Sequence, residues 1–425
     1  MNRSHFFILL FLLSGTAAFA QLPAWQPGYL DIHHINTGRG SAAFFILPDG
    51  TTMLIDAGEL SPLDARTFTQ RNAQIRPDST KKPFEWIAQY IKQVSPQKNR
   101  AVIDYALITH FHDDHFGAWY PAAPFSKSGK YRLTGIPGVA DLVPVHTLID
   151  RGWPDYNYPY NIKRNAKEYG GGEIEFGHTM NNYFEFIAEK QQQGLRMEGL
   201  KAGSRTQLRL LHQPASYPSF YIQNVKCNQW IWSGKDSAVV AHFPAPDSLN
   251  RATWPDENSL SLALVVHYGA FSYYTGGDNP GNVFFDDNPL RDTETPMAKA
   301  IGEVDVATMD HHGNRDAVNE NMVKTLKPRI WIGQTWSSDH PGHEVLLRMT
   351  SQYLYKGPRD LFSTNMLDAN RNVIGPLIDR AYKSQQGHIV IRVAAGGESY
   401  SIFILDDSRA DMPVKATFGP YQSKG

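Results

Sequence analysis

The sequence predicts a layered α/β fold with a long interruption in its middle, and three observations carry that expectation. Apolar runs of strand length, bounded by turns rich in Gly and Pro, recur near both ends of the chain. Amphipathic helical stretches lie between them. Several of the runs stop on clusters of His and Asp, at strand ends where sites gather in layered α/β proteins.

In order along the chain, "YLDIHHIN" (29–36) alternates like a paired strand. It leads through "TGRG" into "SAAFFILPDGTTMLIDAG" (41–58), where Pro48-Asp49-Gly50 marks the turn of a hairpin. "FEWIAQYIKQV" (84–94) spaces its apolar residues three and four apart, the period of a helix with one buried face. "VIDYALITH" (102–110) is a strand that ends on histidine. From about 120 to 255 the periodicity fades into aromatic, Pro-, Gly- and Asn-rich sequence, which reads as an insertion on the core fold. Inside it, "NNYFEFIAEKQQQGL" predicts a helix, and "TQLRLLH", "FYIQNVK" and "AVVAHF" predict short strands. Its Trp153, Tyr156, Tyr158, Tyr160, Trp230 and Trp232 either line a substrate cleft or pack the insertion itself. Regular pattern returns in "NSLSLALVVHYGAFSYYTGGD" (258–278), two strands joined at Tyr268-Gly269, and in "EVDVATMDHHGN" (303–314), a strand ending on histidines. Helix, strand and helix follow in "VNENMVKTL", "RIWIGQTW" and "HEVLLRMTSQYL". The chain closes with a hairpin around Gly396-Gly397.

The first twenty residues stand apart. Arg3, the apolar run Phe6–Leu13 and the Ala-Phe-Ala end have the layout of a secretory leader cut after Ala20, so an exported protein, periplasmic or secreted, is expected. The run is shorter than the roughly 20 residues that span a bilayer, and no second run of that kind follows. With Cys227 as the single cysteine there is no intrachain disulfide, and the remaining 21–425 must stand on its hydrophobic core. Loss of Arg3 moves the formal net charge only from −1 to −2. That balance offers no electrostatic case for general nucleic-acid or membrane binding, and leaves a small-molecule or cell-envelope substrate as the expected partner.

The chemistry concentrates in "THFHDDH" (109–115). His110 and His112 alternate, so both rings can point one way in an extended turn, and Asp114 with His115 forms a second pair. Imidazole and carboxylate donors in this density suit two divalent cations, zinc first, with manganese or iron as alternatives. The stretch resembles the H-x-H-x-D-H signature of the metallo-β-lactamase superfamily. "LIDAG" (54–58) and "TGGD" (275–278) are similar to its other strand-end motifs. "DHHG" (310–313) and "DHPGHEVL" (339–346) bring the chain closest to the subgroup of ComEC-like hydrolase domains and phosphorylcholine esterases. The resemblance covers roughly 29–120 and 258–405 and not the middle.

The resemblance implies a metallo-β-lactamase-like αββα sandwich with the 120–255 block as insertion. It implies His110 and His112 on one cation, Asp114 and His115 on the other, and Asp278 bridging both. Where many members place a further histidine, this chain reads "WPDENSL", and His242 upstream lies in an apolar stretch. The subgroup instead points to His311 or His312 for the first cation and to His340 for the second. His312 is preferred as ligand, with His311 beside it or on the substrate, and His343 belongs to the next helix. Asp56 is expected to orient a ligating imidazole, while Asp113 and Asp310 read as ordinary turn aspartates. Two cations roughly 3.5–4 Å apart make a shared water acidic enough to furnish hydroxide, with Asp114 or Asp278 taking the proton and His311 or Arg151 facing developing negative charge. The expected activity is that of a metallo-hydrolase on a phosphodiester or other phosphoester. A lactonase or β-lactamase type of C–O or C–N hydrolysis, and a non-catalytic binding protein on the same fold, are the alternatives.

Overall fold

In the strand AFFI, Phe44 and Ile46 pack on one side and Ala43 and Phe45 on the other, all buried, so this segment needs cover on both faces. The computed structural model, which describes residues 20–97, 100–165, 175–249, 254–281 and 288–425, supplies it with an α/β sandwich. The expected leader, residues 1–20, lies outside the described residues except for Ala20.

The chain begins with β1 (Leu30–His34), β2 (Ala43–Ile46), β3 (Thr52–Ile55), α1 (Pro83–Val94), β4 (Ile103–Leu107), α2 (Asp113–Phe116) and α3 (Gly135–Leu142). The middle holds β5 (Val145–Asp150), α4 (Ile162–Asn165), α5 (Phe176–Gln192), β6 (Arg196–Gly199), β7 (Phe220–Cys227), β8 (Trp230–Trp232) and β9 (Val239–Ala241). Then come β10 (Ala263–Tyr268), β11 (Phe271–Thr275), α6 (Glu294–Ile301), β12 (Val306–Thr308), α7 (Glu320–Leu326), β13 (Ile330–Gly333) and α8 (His343–Thr350). The last elements are β14 (Asp360–Ser363), α9 (Asp368–Ile374), α10 (Pro376–Ala381), β15 (Tyr382–Ser384), β16 (His388–Val393), β17 (Ser399–Leu405) and β18 (Val414–Gln422).

These strands form two nine-stranded mixed sheets, in the orders β18-β17-β16-β1-β2-β3-β4-β5-β6 and β15-β14-β13-β12-β11-β10-β7-β8-β9. One core lies between them, from Ile32, Phe45, Met53 and Leu107 to Val266, Tyr273, Val306 and Ile332. A second core joins the outer face of the first sheet to α1, α3 and α5 through Leu54, Ala106, Ile87, Val139 and Phe186. A third joins the second sheet to α6, α7, α8 and α10 through Tyr274, Trp331, Met297, Val323, Leu346 and Ile378. In α1, Pro83 opens the helix and Glu85 accepts from the Lys82 amide (2.8 Å). Its Phe84, Ile87 and Ile91 then bury one stripe, each contributing on the order of 1.5–3 kcal/mol. Among the described residues no helix is long and apolar enough to cross a membrane.

The 120–255 block is woven into both sheets, whereas the sequence suggested a decoration on the core. Its β5 and β6 extend the first sheet by parallel pairing, and β7, β8 and β9 extend the second. The expected strand at 206–212 is absent. Leu208 and Leu210 are buried between the sheets, but Thr51 Oγ1 and Asp49 Oδ2 take the amides of Leu211 and His212, which displaces a strand ladder. β14, β15 and β18 are too short or too exposed to carry a clear alternation, and the sequence pattern did not predict them.

Candidate metal centre

β3–β4–β5–β6 and β11–β12–β13–β14 are parallel runs, so the loops after β3, β4, β11, β12 and β13 leave from C-terminal strand ends. Those loops carry Asp56, His110–His115, Asp278, Asp310–His312 and Trp336–His340. The centre therefore sits where both sheets deliver their strand ends.

Backbone packing explains the glycines. Ser41 N and Gly58 N tie the 40–41 and 58 segments together, with Ser41 N donating to Asp114 O (2.8 Å) and Gly58 N to Ser41 O (2.8 Å). A Cβ at Gly40 or Gly58 would collide with the Asp114 carbonyl, so "TGRG" and "LIDAG" keep room for the histidine loop.

Two groups of donor atoms converge. Asp114, His115, Asp278 and His312 offer one atom each within a few ångströms of one another, a buried set that can hold a metal ion; His110, His112 and Asp278 form the other. In the four-residue set, His115 Nε2 lies 3.0 Å from Asp278 Oδ1 and 3.3 Å from His312 Nε2, and His312 Nε2 lies 2.8 Å from Asp114 Oδ2. The other ring nitrogens are engaged, His115 Nδ1 with Asp56 Oδ2 (2.8 Å) and His312 Nδ1 with the carbonyl of Gln334 (2.8 Å). A carbonyl can only accept, so His312 Nδ1 carries its proton. With His115 Nδ1 donating to Asp56 as well, both Nε2 atoms are turned inward, and in the neutral rings each presents a lone pair. Asp278 Oδ1, buried, has no hydrogen-bond partner among the described residues. Inward-facing ring nitrogens beside buried carboxylates need protons or a cation between them, and this donor set fits a cation.

In the three-residue set, His110 Nε2 and His112 Nδ1 are 3.1 Å apart, and His110 Nε2 is 3.8 Å from Asp278 Oδ2. His311 Nε2 stands the same 3.8 Å from that oxygen, while its Nδ1 bonds Asp316 Oδ1 (2.7 Å). His311 and His312 both have left-handed backbones, φ 47° and 56°, at a cost of roughly 1–2 kcal/mol per residue. The kink sends the neighbouring rings to different partners. His312, expected with His110 and His112, lies instead with Asp114 and His115. His340 joins neither group, because its ring stacks on His312 (4.9 Å, 21°) and packs against Trp336.

The electrostatics follow from burial and proximity. Burial alone would raise Asp278, yet the charges of His115 and His312 hold it well below the usual carboxylate range. Burial opposes the charged form of His115, yet Asp278, Asp114 and Asp56 push it well above 6.5. Without a cation the carboxylates thus hold protons on the imidazoles, and a bound cation would displace them. Burial drives His110 well below its ordinary value, which keeps its lone pair free.

Asp56 bonds His115 Nδ1 and also accepts from Thr109 N and Oγ1 (both 2.8 Å), which fixes strand end and imidazole together. Asp113 accepts from Ser61 N (2.6 Å), and burial with the Asp114 charge pushes it up to about 7. Asp310 accepts from Tyr274 Oη (2.8 Å). Arg151 does not reach the centre. Its guanidinium is buried on Glu257 and on the carbonyl of Tyr158, too committed to meet a substrate. Tyr156, Tyr158, Tyr160 and Trp232 are buried, whereas Trp230 is exposed.

Sequence reasoning overlooked Glu257, Asn258 and Asp316. Glu257 Oε1 accepts from the amide of Phe111 (2.8 Å), between the two histidines, and Asn258 Nδ2 reaches His311 Nε2 (3.2 Å). Both belong to "WPDENSL", the segment noted for its missing histidine. A cleft of about 220 Å³ opens over His112, Asp278, His311 and His312, with Arg66 and Arg71 at its mouth. No family model matches the chain, and no curated protein matches it.

Proposed function

We propose that this chain is an exported binuclear metallo-hydrolase of the metallo-β-lactamase superfamily, acting on a phosphodiester or other phosphoester. The observation that supports it is Asp278, shared between two sets of inward-facing imidazole nitrogens at the C-terminal strand ends of two packed sheets. His110, His112 and Asp278 would hold one cation, joined by His311. Asp114, His115, Asp278 and His312 would hold the second. Bound there, zinc, manganese or iron supplies Lewis acidity and a water acidic enough to attack at neutral pH. The chain's own groups do the rest. Asp56 and the Gln334 carbonyl keep His115 and His312 pointed inward, and Asp114 or Asp278 receives the proton released at attack. Arg66 and Arg71 line the mouth, paired to Asp64 and Asp339 yet about half-exposed or more, and they favour an anionic ester over a neutral lactone or lactam.

Metal analysis with parallel assays tests this. The expected result is about two equivalents of bound metal, and turnover of bis-p-nitrophenyl phosphate or a phosphorylcholine ester above that of a lactone or a chromogenic β-lactam. Lactone or lactam turnover alone would move the reaction to carbon–oxygen or carbon–nitrogen bonds. Absence of both metal and activity after zinc or manganese addition would leave only a binding protein. N-terminal sequencing of exported material should begin at Gln21.

A further inference from the structure

The two sheets do not cover one another completely. In the register of β7, β8 and β9, Cys227 is opposite Trp230, Trp230 opposite Ala241, and Trp232 opposite Val239, so these side chains share one face. Cys227 belongs to the core between the sheets, so that face continues the inner face of the sandwich. Yet Trp230 is 43% and Val239 37% exposed. The first sheet ends at β6, and between β6 and β8–β9 opens a cavity of about 740 Å³, larger than the cleft over the metal centre. Exposed apolar side chains on an inner sheet face leave a binding surface uncovered.

We propose that this cleft binds a neutral saccharide, with a sugar ring against Trp230 and hydroxyls on the polar side chains around it. Three features select that chemistry. The wall carries the half-exposed indole of Trp230 on β8, a flat apolar face of the kind that the C–H face of a sugar ring requires. Gln229 adds an amide that donates and accepts at once, which suits hydroxyls. Among the described residues the lining carries no cluster of one sign, since Arg151 is paired with Glu257 and the lining holds one further cation, Lys201, and one anion, Glu198, so it does not select a phosphate or a carboxylate. The floor is also held firm: Asn228 Nδ2 donates to Arg151 O (2.7 Å) and Arg151 donates to the Tyr158 carbonyl (3.0 Å), so the site is preformed.

The test needs no turnover, so its outcome is separate from that of the hydrolase reading. Cellotetraose, N-acetylchitotetraose and maltotetraose are titrated against the purified chain by tryptophan fluorescence and calorimetry. Saturable binding of at least one is expected. Trp230→Ala should weaken it about tenfold or more, the loss of one stacked aromatic contact, with an unchanged unfolding midpoint. Trp230→Phe should retain most of the affinity. Trp119→Phe, whose indole stacks on His178 outside the cleft, should leave it unaltered. Absence of binding by all three sugars, binding insensitive to Trp230→Ala, or tighter Trp230-dependent binding of adenosine monophosphate would each overturn the proposal.

Discussion

The two donor sets that meet at Asp278 are built differently. Around Asp114, His115 and His312 every imidazole is clamped from behind, by the Asp56 carboxylate or the Gln334 carbonyl, and all the donors are buried. Around His110 and His112 the support is looser. His110 has Thr109 Oγ1 at 3.2 Å, His112 is half-buried on the cleft, and the loop is held through the Phe111 amide on Glu257. On the proposed two-cation reading, the closed set would be the tighter cation site and the open set the one facing substrate, because rigidity behind a ligand sets affinity while access sets reactivity.

The sharpest way to break that comparison is Asp278→Ala. Both sets lose their shared carboxylate, so bound metal should fall from two equivalents toward none and phosphoester turnover to background, with far-ultraviolet circular dichroism unchanged. Wild-type-like metal content would refute the shared role. Next, His312→Ala should empty the closed set and leave about one equivalent, whereas His340→Ala should keep both, since His340 only stacks on His312. Paired metal titrations of the two variants decide between these assignments. Smaller effects distinguish the supports. Asp56→Asn should weaken one cation about 10–100-fold and Glu257→Gln the other by less, read by competition with a chelator. If both substitutions weakened the same cation, the two sets would not be held independently.

The smallest effect concerns stability away from the centre. Burial holds His34 and His388 neutral, each pushed down to about 3. Their folded values lie below the unfolded 6.5, so the unfolded chain binds more protons between those limits, and the stability present above pH 6.5 is lost as pH falls toward 3. At pH 4.5 each histidine accounts for a loss of about 2–3 kcal/mol relative to pH 7. Thermal unfolding of metal-free protein should show it, and His388→Gln, which keeps an acceptor for the Asn36 amide, should flatten the slope.

Much of the fold was legible because its signals are local. The hairpin at Pro48-Asp49-Gly50, the α1 stripe and the β10–β11 and β16–β17 pairs follow from periodicity and turn residues a few positions apart. The middle block was not legible, because Thr51 and Asp49 from a distant loop decide whether 206–212 forms a ladder. At the centre, the donors of "THFHDDH" could be named from residue type and spacing, and the Asp of "TGGD" through the family resemblance.

What the sequence by itself determined is the chemistry: which side chains can bind cations, and that they stand at strand ends. Only the tertiary structure decided who stands with whom. His312 joins Asp114 because two consecutive left-handed residues turn its ring there, and Glu257 reaches Phe111 across 146 positions of chain. Trp230 is left open because the first sheet stops at β6. Ligand identity is a property of a side chain. Grouping, support and exposure depend on backbone dihedrals and on contacts between segments far apart in sequence, and no local pattern encodes them.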